Sequence, residues 1–249
     1  MTRYKIIFKK LNNEDLKYPY FYELQSLIFN NYDLHNVKKI HNTNFLFDNN
    51  MLFVFSKIYT NNDLLFFYIS GNLNFDILFT NLKYNKNHKL LNLTLQYFSH
   101  EKIDTNIDDY SKTIFSVERC VVKYHGYNLK NIYLSPIEDD YYKYHALKNL
   151  INISGEKPEF FTKKYENLIF QNLSRKCGWS KEIYDKNKLN FKFELFSEPK
   201  RKLIRYKNSS TVLVAYDYDF RFVCNDDLIQ TALQFGIGVD NRKGCGFIK

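Results

Sequence analysis

Cysteines are few in this chain and lie far apart. Cys120, Cys177, Cys224 and Cys245 form no Cys-x-x-Cys pair and have no histidine at zinc-finger spacing. That pattern excludes a disulfide framework and a zinc module, and reads as free buried thiols of a reducing compartment. Long apolar runs are missing too. The longest, Leu64 to Ile69, falls far short of the ~18 to 20 residues a bilayer span requires. The first ten residues alternate basic and apolar side chains with no hydrophobic block or small-residue cleavage site, so no secretory signal is expected. A cytoplasmic protein without a membrane partner follows. Asp108-Asp109 and Asp139-Asp140 have no histidine or third carboxylate at ligand spacing, so they read as solvated turns. Neither a metal nor a cofactor is expected.

What the chain has in quantity is aromatic residues. Among its 249 residues are 21 Tyr and 23 Phe, and 45% of the chain is hydrophobic, enough for a sizeable core in one large domain or two small ones. Thirty-six basic against 27 acidic residues give a net charge of +9, a field that favours polyanions. The surplus of Asn, Lys, Ile, Tyr and Phe over Ala and Arg has the look of nucleotide-composition bias, which discounts the lysine excess as a signal.

Periodicity supplies the organisation. Residues 3–9 alternate as a half-buried strand, and residues 22–34 space Leu24, Leu27, Ile28 and Phe29 for an amphipathic helix ending near His35. An Asn-rich loop over 42–50 leads to strands at 51–59 and 64–70, joined by an Asn-Asn-Asp turn. A short helix at 75–81 and extended stretches at 90–98 and 113–124 complete a βαββαβ-like set. Polar residues 125–130 suggest a boundary, giving domains at 1–126 and 127–249. The second opens with an extended segment at 132–137, then a helix at 158–177, strands at 189–196, 202–206 and 211–223, and a helix at 226–235. The fold class expected is α+β, with two tandem ferredoxin-like (RRM-like) units and a C-terminal glycine-rich loop.

That loop is the most specific feature. Gly236-Ile237-Gly238 and Gly244-Cys245-Gly246 hold half of the chain's 8 glycines and flank Arg242 and Lys243. Clustered glycines let backbone N–H groups approach a ligand, and the two cations suit phosphate oxygens. The spacing is not that of a Walker loop, because five residues intervene and no Gly-Lys-Ser/Thr precedes a helix. Taken alone, such a segment is most simply a tight turn between a helix and a terminal strand.

Gly-hydrophobic-Gly, five residues including a basic one, then Gly-hydrophobic-Gly near the C-terminus resembles the signature of the CRISPR-associated repeat-processing endoribonucleases, the Cas-six group of the RAMP superfamily. Residues 225–229 (Asn-Asp-Asp-Leu-Ile), 134–137 (Leu-Ser-Pro-Ile) and 52–56 (Leu-Phe-Val-Phe-Ser) fall in family order, so the resemblance spans nearly the whole chain. It implies tandem ferredoxin-like domains and metal-independent cleavage of CRISPR repeat RNA (precursor crRNA). In that reaction a base takes the proton of a ribose 2′-hydroxyl, which attacks the adjacent phosphate while an acid protonates the leaving 5′-oxygen. A 2′,3′-cyclic phosphate and a 5′-hydroxyl result.

Histidine suits either role, with a pKa of ~6.5. The resemblance puts the catalytic histidine after helix one, where Ile40-His41-Asn42 matches best and His35 is the rival. The family's helper tyrosine and lysine fall at Phe29 and Met51, so Tyr32 and Lys39, with Lys38 as rival, are the candidate helpers. For RNA binding the candidates are Gly236, Gly238, Arg242, Lys243, Gly244 and Gly246, together with a basic strand of Lys200, Arg201, Lys202 and Arg205. Lysines also protect edge strands, so that strand has a purely structural reading as well. The alternative function is a non-catalytic RAMP subunit that holds the guide RNA end. Partners expected are repeat RNA, a homodimer mate or a CRISPR effector complex.

Overall fold

A computed structural model describes residues 3–32, 53–104, 112–125, 131–136, 159–205 and 212–249. Alternation in β1 (Arg3–Lys10) buries Ile6 and Phe8 completely or nearly so, and the stripe Leu24, Leu27 and Ile28 seats α1 (Phe21–Tyr32) over them. Next come β2 (Phe53–Phe55), β3 (Tyr59–Asn61) and β4 (Leu64–Gly71), followed by α2 (Phe75–Tyr84). The Asn74 side chain starts α2 by accepting the Ile77 N–H. A hairpin of β5 (His88–Leu90) and β6 (Leu93–Ile103) finishes the unit. Its sheet runs β2-β4-β1-β6-β5, with β3 also on β4 and every pairing antiparallel. This is the βαββαβ arrangement, both helices lying on one face.

The second unit repeats it with β7 (Phe115–Cys120), α3 (Glu159–Lys176), α4 (Lys181–Lys188), β10 (Lys192–Leu195), β11 (Lys200–Arg205), β12 (Val212–Val223), α5 (Asp226–Phe235) and β13 (Phe247–Ile248). Its sheet runs β10-β12-β7-β13, with β11 also on β12. After β7, β8 (Lys123–His125) and β9 (Asn131–Tyr133) form a separate two-stranded ribbon. The tandem ferredoxin-like fold is therefore present.

The strand at residues 113–124, expected to close the first unit, instead supplies the central strand of the second, so the changeover between sheets falls between Ile103 and Phe115. Phe115, Val117 and Cys120 bury against Ile169 and Leu173 of α3 and Leu228 and Ile229 of α5. Of residues 132–137, expected to open that unit, the described ones contribute the end of β9. Helix α4 has no counterpart among the expected elements; it is polar, starts on the Ser180 cap and buries no residue, so it has no apolar stripe to read.

A bulge joins the two units. Arg119 has φ 53°, its N–H bonds Asp217 Oδ1 at 2.7 Å, and the β12 register slips between Tyr216 and Tyr218. Two consecutive residues, Glu118 and Arg119, thereby leave the helix-packed core of the second unit and face the first. Beyond the slip, Leu213 and Ala215 join Ile204 in the first unit's core. Polar contacts complete the junction: Arg3 Nη2 and Ser70 Oγ both donate to Leu233 O, at 3.0 and 3.2 Å.

Candidate nucleic-acid interface

The glycine loop is built from α5 onward. Asn225 caps the helix start by accepting the Leu228 N–H, and Gly236 ends the helix at φ 74°, its N–H on Ala232 O at 2.8 Å. The chain then runs out and back past itself. Ile237 N–H donates to Gly246 O at 3.0 Å, Val239 N–H to Val121 O at 2.8 Å, and Gly246 N–H is shared between the carbonyls of Glu118 and Arg119. At the tip a 3₁₀ turn over Asn241–Lys243 lies between Asp240 and Gly244, both left-handed. The Asn241 side chain ties the arms together, donating to Ile237 O at 3.0 Å and Cys245 O at 2.9 Å.

The glycines thus serve close packing. A β-carbon on Gly244 would lie 2.6 Å from Phe55 Cε2, and one on Gly236 would lie 2.6 Å from Gly246 O. Several of the loop's backbone donors are already engaged. The N–H groups of Gly236, Ile237, Val239, Lys243, Gly244 and Gly246 all bond within the protein. What it presents outward is Arg242 and Lys243, both half-buried. Asp240 anchors the second of these at 2.9 Å and Lys123 at 2.7 Å. Burial alone would raise the Asp240 carboxyl, but hydrogen bonds from Lys123 and Lys243 hold it below its usual range.

Three residues that the sequence does not single out hold this loop in place. Arg119 Nε donates to Gly244 O at 2.7 Å while its guanidinium lies 4.0 Å over the Phe21 ring. Glu118, 5% exposed, accepts Lys57 N–H at 3.0 Å and the Tyr59 hydroxyl at 2.9 Å and pairs with Lys249 at 2.7 Å. Burial and the adjoining Glu118 push the Tyr59 hydroxyl up to about 12. From α3, Lys176 Nζ donates to Gly236 O at 2.6 Å, Asn241 Oδ1 at 2.8 Å and Gly238 O at 3.3 Å. In the sequence Lys176 reads as an ordinary cation at a helix C-terminus, indistinguishable from Arg175.

Beside the loop lies a cleft of about 260 Å³ between the units, walled by Tyr18, Tyr20 and Phe21 and carrying the cations Lys57, Arg119 and Lys202. The basic strand forms its outer rim. β10 and β11 pair end to end with β12, and Lys200, Lys202 and Arg205 are exposed on β11, while Arg201 is half-buried. Lys202 makes a long contact of 3.8 Å with Asp217. Lys57, Arg119 and Lys202 thus stand beside aromatic rings in the cleft, whose wall also holds Glu118 and Asp217, and the further cations of β11 flank Lys202 along the strand.

Of the catalytic candidates, His41, His35, Lys38 and Lys39 lie outside the described residues. Tyr32 is described, and its hydroxyl accepts the Asn74 N–H at 3.3 Å. Phe29 is buried edge-on against Phe53 at 5.4 Å. The described residues on either side of 33–52 are Tyr32 and Phe53. Tyr32 meets Asn74, Phe53 pairs with Gly71, and Gln234 of α5 donates to Gly71 O at 3.3 Å. Phe53 and Gly71 thus stand beside α5, the helix that runs into the glycine loop.

A family profile described as CRISPR associated protein Cas6, C-terminal, matches residues 120–249. That is more than half of the chain, and the chain belongs to the Cas6 family, a family of CRISPR endoribonucleases with the RAMP fold. Solved structures agree on the fold. A RAMP protein described as binding different RNA substrates is 15% identical with a TM-score of 0.71, covering 100% of this chain and 99% of its own. A Cas6-related protein of Pyrococcus furiosus is 16% identical with a TM-score of 0.70, covering 100% and 97%. A CRISPR associated protein Cas6 is 17% identical with a TM-score of 0.64, covering 100% and 98%. No curated protein matches the chain. Among the described residues no helix is long and apolar enough to cross a membrane.

Proposed function

We propose that this chain binds CRISPR repeat RNA across both units and cuts it once by attack of a ribose 2′-hydroxyl, with no metal ion in the step. The observation that carries the reading is the family match over residues 120–249, which contains the complete glycine loop and the basic strand. His41, or its rival His35, takes the 2′-hydroxyl proton or supplies one to the leaving 5′-oxygen. As the 2′-oxygen bonds to phosphorus, the P–O5′ bond breaks, and the products are a 2′,3′-cyclic phosphate and a 5′-hydroxyl.

Tyr32 accepts the Asn74 N–H, which leaves its own O–H to donate to the phosphate, and Lys39 or Lys38 offsets charge on the pentacoordinate phosphate. Phe53, the first described residue after the histidines, pairs with Gly71, whose carbonyl accepts from Gln234 of the helix that leads into the loop, which supports placing the chemistry near that helix. Arg242 and Lys243 take phosphates at the loop tip, and Lys200, Arg201, Lys202 and Arg205 take those along β11. Association as a homodimer or with a CRISPR effector complex belongs to the same proposal.

One observation favours a second reading, an RNA-holding subunit without activity. Phe29, where the family carries a tyrosine, is packed against Phe53 and has no proton to give.

The test is incubation of the protein with 5′-labelled repeat RNA in excess EDTA, beside the same RNA with a 2′-deoxy sugar at the cut site. Cleavage of the first alone, leaving a cyclic phosphate, is expected. Tight, sequence-specific binding without cleavage would replace it with the holding role.

A further inference from the structure

We propose that Lys176 is the positioning residue of the glycine loop, an ammonium group that sets the loop's outer turn in the shape that receives repeat RNA. The proposal rests on the RNA-binding reading and adds to it a residue outside the loop.

Valence singles out this side chain. A lysine ammonium has three donors and no acceptor, and here three oxygens converge on it, those of Gly236, Gly238 and Asn241. Two are backbone carbonyls of the loop's outgoing arm. The third fixes the Asn241 amide: with Oδ1 held by Lys176, Nδ2 faces the Ile237 and Cys245 carbonyls, one on each arm. A single charge on α3 therefore determines where both arms and the Arg242-Lys243 tip lie. A neutral amine would have two donors and one lone pair for the same three oxygens, and one carbonyl would face that lone pair.

The surroundings leave this charge adjustable. Burial pulls the Lys176 ammonium down to about 7, so its charge changes near neutral pH. The groups around it are neutral or cationic there. Burial pushes the Cys120 thiol of β7 up to about 11, and the Tyr165 and Tyr218 hydroxyls beyond it, on α3 and β12, are raised well above their ordinary value. Cys177 is raised as well, and Arg175 opposes the charge. The nearest loop carboxylate, Asp240, is engaged by Lys123 and Lys243. A phosphate arriving at the loop tip would favour the charged amine, so RNA binding takes up a proton and weakens as pH rises above 7.

The experiment measures binding of uncleavable repeat RNA, 2′-deoxy at the cut site, from pH 6.5 to 8.5 for wild type, Lys176→Met and Lys176→Arg. All other ionisable groups are common to the three proteins, so the difference between variants isolates Lys176. Lys176→Met is expected to bind about tenfold more weakly at pH 6.5 and to lose part of the wild-type pH dependence. Lys176→Arg, charged throughout, is expected to recover part of the affinity without that dependence. Equal affinity and equal pH profiles for wild type and Lys176→Met would overturn the proposal. Should wild type fail to bind RNA, the functional reading falls. The clamp is then judged by amide hydrogen exchange over residues 236–246, expected to be faster in Lys176→Met, with unchanged exchange overturning it.

Discussion

The carbonyl oxygen of Ile237 occupies the place where Gly246 would carry a β-carbon, so the two arms of the glycine loop touch backbone to backbone. Gly246 is also left-handed, at φ 74°. Spacing in the sequence reports both constraints, since no other residue fits positions where two main chains cross at positive φ.

Gly246→Ala is accordingly expected to cost at least about 2 kcal/mol, from strained backbone and a collision with main chain that no rotamer relieves. In a chain of this length that lowers the melting temperature by ~4 to 8 °C. Gly178 is the control. It has φ 69° but nothing within 4 Å of where a β-carbon would sit, so Gly178→Ala should cost only the backbone strain of about 1 kcal/mol. Thermal melts of the two variants make the comparison.

Acid should loosen the junction between the units through Glu118. Burial raises its carboxyl, but the hydrogen bonds from Lys249 and Lys57 N–H and the charge of Arg119 outweigh burial and leave it below the usual range. A carboxyl depressed in the folded state stabilises above its unfolded pKa, and that contribution disappears as pH falls through the folded value. Glu118→Gln is expected to lower stability by about 3 kcal/mol at pH 7. The gap to wild type should narrow steadily below pH ~4, as urea melts at pH 7, 4.5 and 3 would report.

Much of this architecture is legible in the residues. Helices α1, α3 and α5 emerge within a residue or two of the expected spans, because each carries an apolar stripe at helical spacing over a core. Strand partners are less legible. Residues 113–124 alternate as a strand, but alternation does not say which sheet a strand joins; burial of Val117 and Cys120 against α3 and α5 decides that. Spacing reveals the glycine loop but not its physical role: its glycines allow crossing and close packing, and most of its described donors are satisfied internally. Lys176 and Glu118 do not stand out in the sequence. Their importance comes from partners more than fifty residues away, at Gly236 and Asn241 for one and Lys57 and Lys249 for the other.

The exposed cations of β11 give a prediction in salt. If Lys200, Lys202 and Arg205 each neutralise one phosphate, replacing all three by Ala should reduce the slope of log affinity against log salt by ~2. Affinity for unrelated single-stranded RNA should fall in parallel, because phosphate contacts carry no sequence information. Fluorescence anisotropy titrations between 50 and 300 mM salt, roughly the range over which counterion release is measurable, provide the test. An unchanged slope would return β11 to the role of a charged edge strand.

Cleavage chemistry is proposed to reside in the segment between α1 and β2, and affinity in the loop and the basic strand. The decisive experiment is single-turnover cleavage of repeat RNA in EDTA by wild type, His41→Ala and His35→Ala, with binding measured in parallel. The expected result is a rate at least ~100-fold lower for His41→Ala with RNA affinity unchanged, the scale of a lost general acid or base. Full activity in both histidine variants would refute this division of labour.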